Sequence, residues 1–197
     1  MTATLCLTLA VLLGSAGLSW SADFQKGWKA FQEENYATAL EEFLPLAKQG
    51  HELAQYNLGV MYREGRGVKK SNVDAVRWWT KAALASFAPA QANLGLMFDK
   101  GEGVQKDSKT AVKLFKYASE KGNLIGQHNL GLNTTLGQGT PKDVVIGHMW
   151  LNIASLQGHK PATKAKRILE RSMMTPAQIA EAQNLARKCI LKELKGC

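Results

Sequence analysis

The sequence writes one phrase three times. "NLGVMYREGRGV" from Asn57 returns as "NLGLMFDKGEGV" from Asn93 and as "NLGLNTTLGQGT" from Asn129, each 36 residues after the last with no insertion or deletion. Self-similarity at a fixed period of this length is the signature of an array in which one small unit is stacked on the next. It constrains the fold more tightly than composition does. The 197 residues, 45% hydrophobic and 21% charged, describe an ordinary globular chain.

Three units follow from the phase: Ala54 to Pro89, Ala90 to Ile125 and Gly126 to Pro161. Each opens with a helix, here called helix A, whose Leu58, Met61 and Tyr62 (with their equivalents) fall at helical spacing on one face. A glycine inside a helix costs about 1 kcal/mol against alanine. Its recurrence at Gly59, Gly95 and Gly131 therefore implies a close crossing by a neighbouring helix. The pairs Gly65/Gly67, Gly101/Gly103 and Gly137/Gly139 are read as turns, because glycine accepts the positive φ of a helix C-terminus. A second helix, helix B, starts after Ser71, Asp107 or Asp143, each able to cap it, and Ser71-x-x-Asp74 has capping-box spacing. Its face alternates small residues (Ala75/Ala111/Gly147, Ala82/Ala118/Ala154) with large ones (Trp78/Leu114/Trp150, Trp79/Phe115/Leu151). Each hairpin can bury that face only against its neighbours.

The flanks divide the chain further. Residues 1–21 hold no Asp, Glu, Lys or Arg and carry an apolar run from Leu5 to Leu13, shorter than a membrane span, followed by small residues. This is read as a signal peptide, placing the rest of the chain in the periplasm, the cell envelope or outside the cell. Residues 22–53 form a shorter hairpin, with 12 residues from Gly27 to Ala39 where Gly59 to Ala75 has 16. Residues 162–197 are capping helices: a last A-type helix over Lys164 to Arg171, then one opened by Thr175-Pro176-Ala177-Gln178, with Thr as cap and Gln closing the box. Cys189 and Cys197, the pair left once Cys6 is removed with the signal, are predicted to bond, with Gly196 turning the end back. Net charge is +9, of which +6 lies in residues 159–197. A solvated capping face accounts for it, with a peripheral contact to an anionic envelope surface as the alternative and no role for nucleic acid.

Chemistry-bearing patterns are few. "GVQKDSKT" from Gly103 misses the phosphate-loop pattern at Ser108, where a glycine is needed, and has no strand before it. His51, His128, His148 and His159 show no metal-ligand spacing, and no nucleophile elbow or activated thiol is present, so no metal, cofactor or catalytic residue is assigned. Trp78, Trp79 and Trp150 recur in the helix B register and are read as core. Asn133-Thr134-Thr135 matches a glycosylation acceptor, relevant only in a eukaryotic host.

The pattern A-x-x-N-L-G-x-M-Y-x-x-G-x-G-V, then D-x-x-x-A-x-x-W-x-x-x-A-A, resembles the Sel-one-like repeat family, a relative of the tetratricopeptide repeat. The resemblance implies an all-α fold, a right-handed alpha-alpha superhelix of stacked antiparallel helix pairs, and a non-enzymatic scaffold that binds a protein or peptide. It implies that helices A line the concave surface. The positions three before, one after and four after each helix A glycine are then the candidates for contact: Tyr56, Val60 and Arg63; Ala92, Leu96 and Asp99; His128, Leu132 and Thr135. Asn57, Asn93 and Asn129 join them as amides able to bond a peptide backbone, or else to tie stacked helices together. Cysteine-rich relatives of the family have been linked to β-lactams. An envelope enzyme acting on such compounds or on cell-wall material is the alternative, disfavoured here because the repeats contain no cysteine.

Overall fold

A computed structural model describes residues 24–197, and all regular structure among them is helical. The segment read as a signal peptide lies outside the described residues. No helix among those described is long and apolar enough to cross a membrane.

Two compact units divide at Ala82/Ala83. The first holds α1 (24–32), α2 (Tyr36–Lys48), α3 (Glu52–Glu64) and most of α4 (Asn72–Leu84). The second holds α5 (Ala88–Lys100), α6 (Ser108–Glu120), α7 (Leu124–Leu136), α8 (Val144–Leu156), α9 (Lys160–Ser172) and α10 (Pro176–Leu191). The period of 36 runs further than the repeated phrase. Helices α2, α4, α6 and α8 are each 13 residues long and start at 36, 72, 108 and 144, while α3, α5, α7 and α9, also 13 residues, start at 52, 88, 124 and 160. Thus α9 is a fourth helix A in phase. It begins at Lys160 rather than near Lys164, because Pro161 sits in its first turn, where the missing N–H costs nothing. Pro89 does the same in α5.

The corners repeat in atomic detail. Gly65, Gly101 and Gly137 cap helices A at φ 76°, 73° and 71°, and Gly67, Gly103 and Gly139 follow at 69°, 70° and 72°. Each loop is then fastened by the N-terminal cap of helix B: the amides of Ser71, Asp107 and Asp143 donate to the carbonyls of Tyr62, Phe98 and Thr134, all at 2.9 Å. The second glycine has a steric purpose as well. A Cβ on Gly67 would lie 2.6 Å from Tyr36 Cβ at the start of α2, and one on Gly139 would fall on the Ser108 carbonyl at the start of α6.

Within the first unit, Ala39, Phe43, Leu46, Ala54, Leu58 and Met61 form the core. Arg66, from the α3–α4 corner, lays its guanidinium over Phe31 and Tyr36. The helix A glycine makes room for Trp79, whose indole N–H donates to the Tyr56 carbonyl at 3.2 Å. In the second unit a Cβ on Gly95 would lie 2.6 Å from Phe115, and one on Gly131 would lie 2.8 Å from Leu151 and 2.9 Å from the Gly147 carbonyl. The close crossing expected from the glycines is therefore present three times. The tryptophans are also packed as expected, Trp79 and Trp150 buried and Trp78 half-buried beneath Lys81.

The end of the array departs from a simple continuation. Helix α10 packs on α8 and makes no substantial contact with α9. At the position of Gly59, Gly95 and Gly131, α9 carries Arg167, so a partner helix cannot cross it there. Helix α8 is correspondingly buried on every side from Gly147 to Ala154, with Met149 and Ile153 where the other units have Arg77/Lys113 and Lys81/Tyr117; both are buried, in one cluster with Trp150, Ala186 and Cys189. The chain after α10 reverses through Glu193 and Leu194, both at positive φ, before Gly196. The turn expected from Gly196 is thus begun by two residues ahead of it, and Cys197 comes to a Cα separation of 5.8 Å from Cys189, at disulfide distance.

Candidate functional site

The contact positions can be placed within each unit by itself. In the first unit Tyr56, Val60 and Arg63 are half-buried along α3, and Arg63 Nη1 donates to Asn72 Oδ1 at 3.2 Å. In the second, Leu96 and Asp99 on α5 and His128 and Leu132 on α7 are likewise half-buried. Ala92 and Thr135 differ, for both are buried. Thr135 turns its hydroxyl onto the Gly131 carbonyl at 2.8 Å, filling the space that a Cβ on Gly147 would need. This explains why the third unit has glycine where Ala75 and Ala111 stand in the others.

Two of the three recurrent asparagines turn back onto their own helices. Asn57 and Asn129 donate to carbonyls of their own helices, Leu53 and Ile125, both at 2.8 Å, while Asn93 is half-buried. The link between stacked helices is made instead by the glutamine two positions earlier. Gln55 Nε2 donates to the Ala47 carbonyl at 3.0 Å and Gln91 Nε2 to the Ala83 carbonyl at 3.3 Å, each satisfying a carbonyl at the end of the preceding helix B. Gln127 is fully buried in the same register and accepts from Gln157. The in-phase glutamine of "AQYNLG", "AQANLG" and "GQHNLG" was the available signal.

Because α9 is in phase, it adds three contact positions that the repeated phrase did not reveal: Lys164, Ile168 and Arg171, each 36 residues after His128, Leu132 and Thr135. An open apolar groove of about 200 Å³ lies between α7 and α9, lined by Leu132, Leu136, Leu151, Ile168, Leu169 and Met173 among others. Beside it, sharing Ile168, is a depression edged by Lys160, Lys164, Arg167 and Arg171. In the second unit Leu132 and Thr135, named from the repeat, and Ile168, added by its continuation, thus meet at one groove.

Among the described residues the side chains that a phosphate-loop or histidine reading would use have structural partners. The Asp107 carboxylate accepts from the amides of Lys109 and Thr110, which a phosphate would need, and from the Thr110 hydroxyl at 2.6 Å. These bonds, the Thr110 hydroxyl first, hold its pKa below the usual carboxylate value. His148 is fully buried, with Nε2 2.8 Å from Glu170 Oε1, and joins α8 to α9 where Val76 and Val112 pack in the other units. A sealed ring of this kind reaches no substrate. His128 stacks edge-on against His159, and burial, then the neighbouring imidazole, lower its pKa. Among the described residues no group of three His, Cys, Asp or Glu is placed to hold a metal. Asn133 is buried and donates to the Asn129 carbonyl at 3.0 Å, so the acceptor motif it heads is inaccessible.

Stacked helix pairs, glycine corners and an exposed face without a reactive cluster define a helical-repeat scaffold. Three consecutive Sel1 repeats match residues 53–87, 88–123 and 124–159, and the chain belongs to the Sel1 repeat family. Proteins of this family are typically non-enzymatic scaffolds for protein–protein interaction. Among solved structures, a protective antigen present in uropathogenic Escherichia coli strains, displaying an SLR fold, is 30% identical with a TM-score of 0.76 over 92% of this chain. The chain spans 40% of that antigen's length. A Sel1 repeat protein from Oxalobacter formigenes is 27% identical with a TM-score of 0.71, covering 84% of this chain and 75% of its own. No curated protein sequence matches the chain.

Proposed function

We infer that this protein is an exported adaptor without catalytic activity that captures a segment of another protein on the face formed by the helices A of its second unit. One observation carries the reading. In the second unit three exposed large apolar side chains, Leu136 (56%), Ile168 (57%) and Met173 (43%), gather at one groove together with Leu132 and Thr135 of the contact register. Exposed apolar patches of that kind mark interaction sites, whereas scattered single residues do not. Export is supported by the apolar, uncharged start of the sequence, and a bond between Cys189 and Cys197 suits an oxidising compartment.

Affinity purification of the processed protein from envelope extract tests this, run in parallel on Leu96→Asp, Leu132→Asp and Tyr117→Asp. Tyr117 is exposed on α6, away from the contact register. Loss of the same co-purifying protein with the first two substitutions and its retention with the third is the expected pattern. Retention with all three contradicts the assignment of the face. Hydrolysis of a β-lactam or of peptidoglycan by the purified protein contradicts the absence of catalysis.

A further inference from the structure

We propose that the groove between α7 and α9 is selective for an acidic amphipathic segment of a partner protein, one that places two apolar side chains three or four residues apart into the groove and carboxylates on its α9 rim. The proposal rests on the reading of the helix A face as the ligand surface and adds the chemistry of what it takes.

The floor comes first. Leu132 and Leu136 from α7, Leu151 from α8, Ile168 and Leu169 from α9 and Met173 just after it present aliphatic and thioether groups. Leu169 and Leu151 are buried and fix the base, while Leu136, Ile168 and Met173 stand exposed at its edges. A groove of about 200 Å³ holds two medium-sized side chains and not a bulky cofactor. Side chains three or four apart on a helix project to one face, which matches a groove running between two helices.

The rim is cationic and uncompensated. Lys160, Lys164, Arg167 and Arg171 follow one another along a single face of α9. The carboxylate on that helix, Glu170, is committed to His148, and Lys166 is turned the other way, onto Asn152 Oδ1 at 3.1 Å. None of the four rim cations is paired with a carboxylate among the described residues. Two of them are arginines, whose planar forks suit bidentate carboxylate recognition. The corresponding contact positions of α5 and α7 carry Ala92, Leu96, Asp99, His128, Leu132 and Thr135, so the cationic rim belongs to the last helix A alone. Charge and shape therefore single out one end of the face. An unfolded basic tail would attract any anion, but cations set beside a hydrophobic floor favour ligands that offer both features at once.

Phage display of random 12-residue peptides against the purified protein tests this without presupposing a sequence. The expected consensus holds two of Leu, Ile, Met or Phe three or four apart with Asp or Glu around them. Binding of the selected peptides, followed by fluorescence anisotropy, falls about tenfold or more with Ile168→Asp, the size expected for a central apolar contact. It also weakens as salt rises. The double substitution Arg167→Glu/Arg171→Glu, selected afresh, exchanges acidic for basic residues in the consensus; the residues changed are exposed, so unchanged thermal unfolding verifies folding. A consensus without acids, or one indifferent to α9 but lost with Leu96→Asp, overturns the proposal while leaving the helix A face as the ligand surface. Vesicles of phosphatidylglycerol bound through Arg167 and Arg171, with no peptides selected, assign the rim to a membrane and overturn it. Failure of peptides and vesicles alike overturns the proposal and the functional reading together.

Discussion

Gly95→Ala separates the physics of this repeat from ordinary helix propensity. On propensity alone, alanine in the middle of α5 stabilises by about 1 kcal/mol. The structure puts the added methyl 2.6 Å from Phe115 Cε1, 2.8 Å from Cδ1 and 3.2 Å from Cζ, on a ring that is fully buried and cannot swing into solvent. Overpacking of this kind costs about 1–3 kcal/mol. The net expectation is a loss of up to about 2 kcal/mol, the steric cost offsetting or exceeding the propensity gain. Urea unfolding at fixed pH measures it. The cause is identified by a cycle with Phe115→Leu, which costs stability alone yet couples favourably with Gly95→Ala by about 0.5–3 kcal/mol, because the smaller side chain leaves room for the methyl. A Gly95→Ala protein more stable than the parent, or a coupling of zero, refutes the close-crossing account of all three helix A glycines.

Four further outcomes are expected. Ile153→Lys gives α8 the residue that α4 has at Lys81 and buries a charge beneath α10; a loss of about 3 kcal/mol or more and preferential protease cleavage within α10 follow. Gln55→Ala removes the donor to the Ala47 carbonyl and a buried side chain, lowering stability by about 1–3 kcal/mol in chemical unfolding. His128 has a folded-state pKa below its ordinary value of about 6.5, so its contribution is complete above that pH and is lost as pH falls through the folded value. Stability measured from pH 7.5 down to 5 therefore drops more in the parent than in His128→Gln. The bond proposed between Cys189 and Cys197 closes a short loop, so that Cys197→Ser, or reduction of the parent, is expected to cost about 2–3 kcal/mol, read as a lower unfolding midpoint.

What the sequence disclosed was what local chemistry decides. The corners at Gly65, Gly101 and Gly137, the caps at Ser71, Asp107, Asp143 and Thr175, and the crossings at the helix A glycines each depend on a few neighbouring residues, so their periodic recurrence could be read directly. Features set by the third dimension were harder. Ala92 and Thr135 share a register with Leu96 and His128, yet burial depends on packing, and the Thr135–Gly147 exchange appears only when the two helices are placed together. The in-phase glutamines were visible but mute, because their acceptors lie on the preceding helix. The path of α10 had a signal that was legible in hindsight: Met149 and Ile153 replace charged or exposed residues on a helix that would otherwise have a solvated side. Helix α9 was legible as a last helix A over Lys164 to Arg171, but its start at Lys160 and its exact phase were obscured, because it keeps the spacing while losing the asparagine, leucine and glycine of the repeated phrase.

Site-specific photocrosslinking in cells gives the most direct test of the scaffold reading, with a benzophenone side chain placed at Leu96, Leu132 or Ile168 on helices A, or at Tyr117 on helix B of the same unit. The account predicts a discrete crosslinked protein from the helix A positions and none from Tyr117. Adducts from Tyr117 alone would contradict it, since the recognition surface would then lie on the opposite layer of helices.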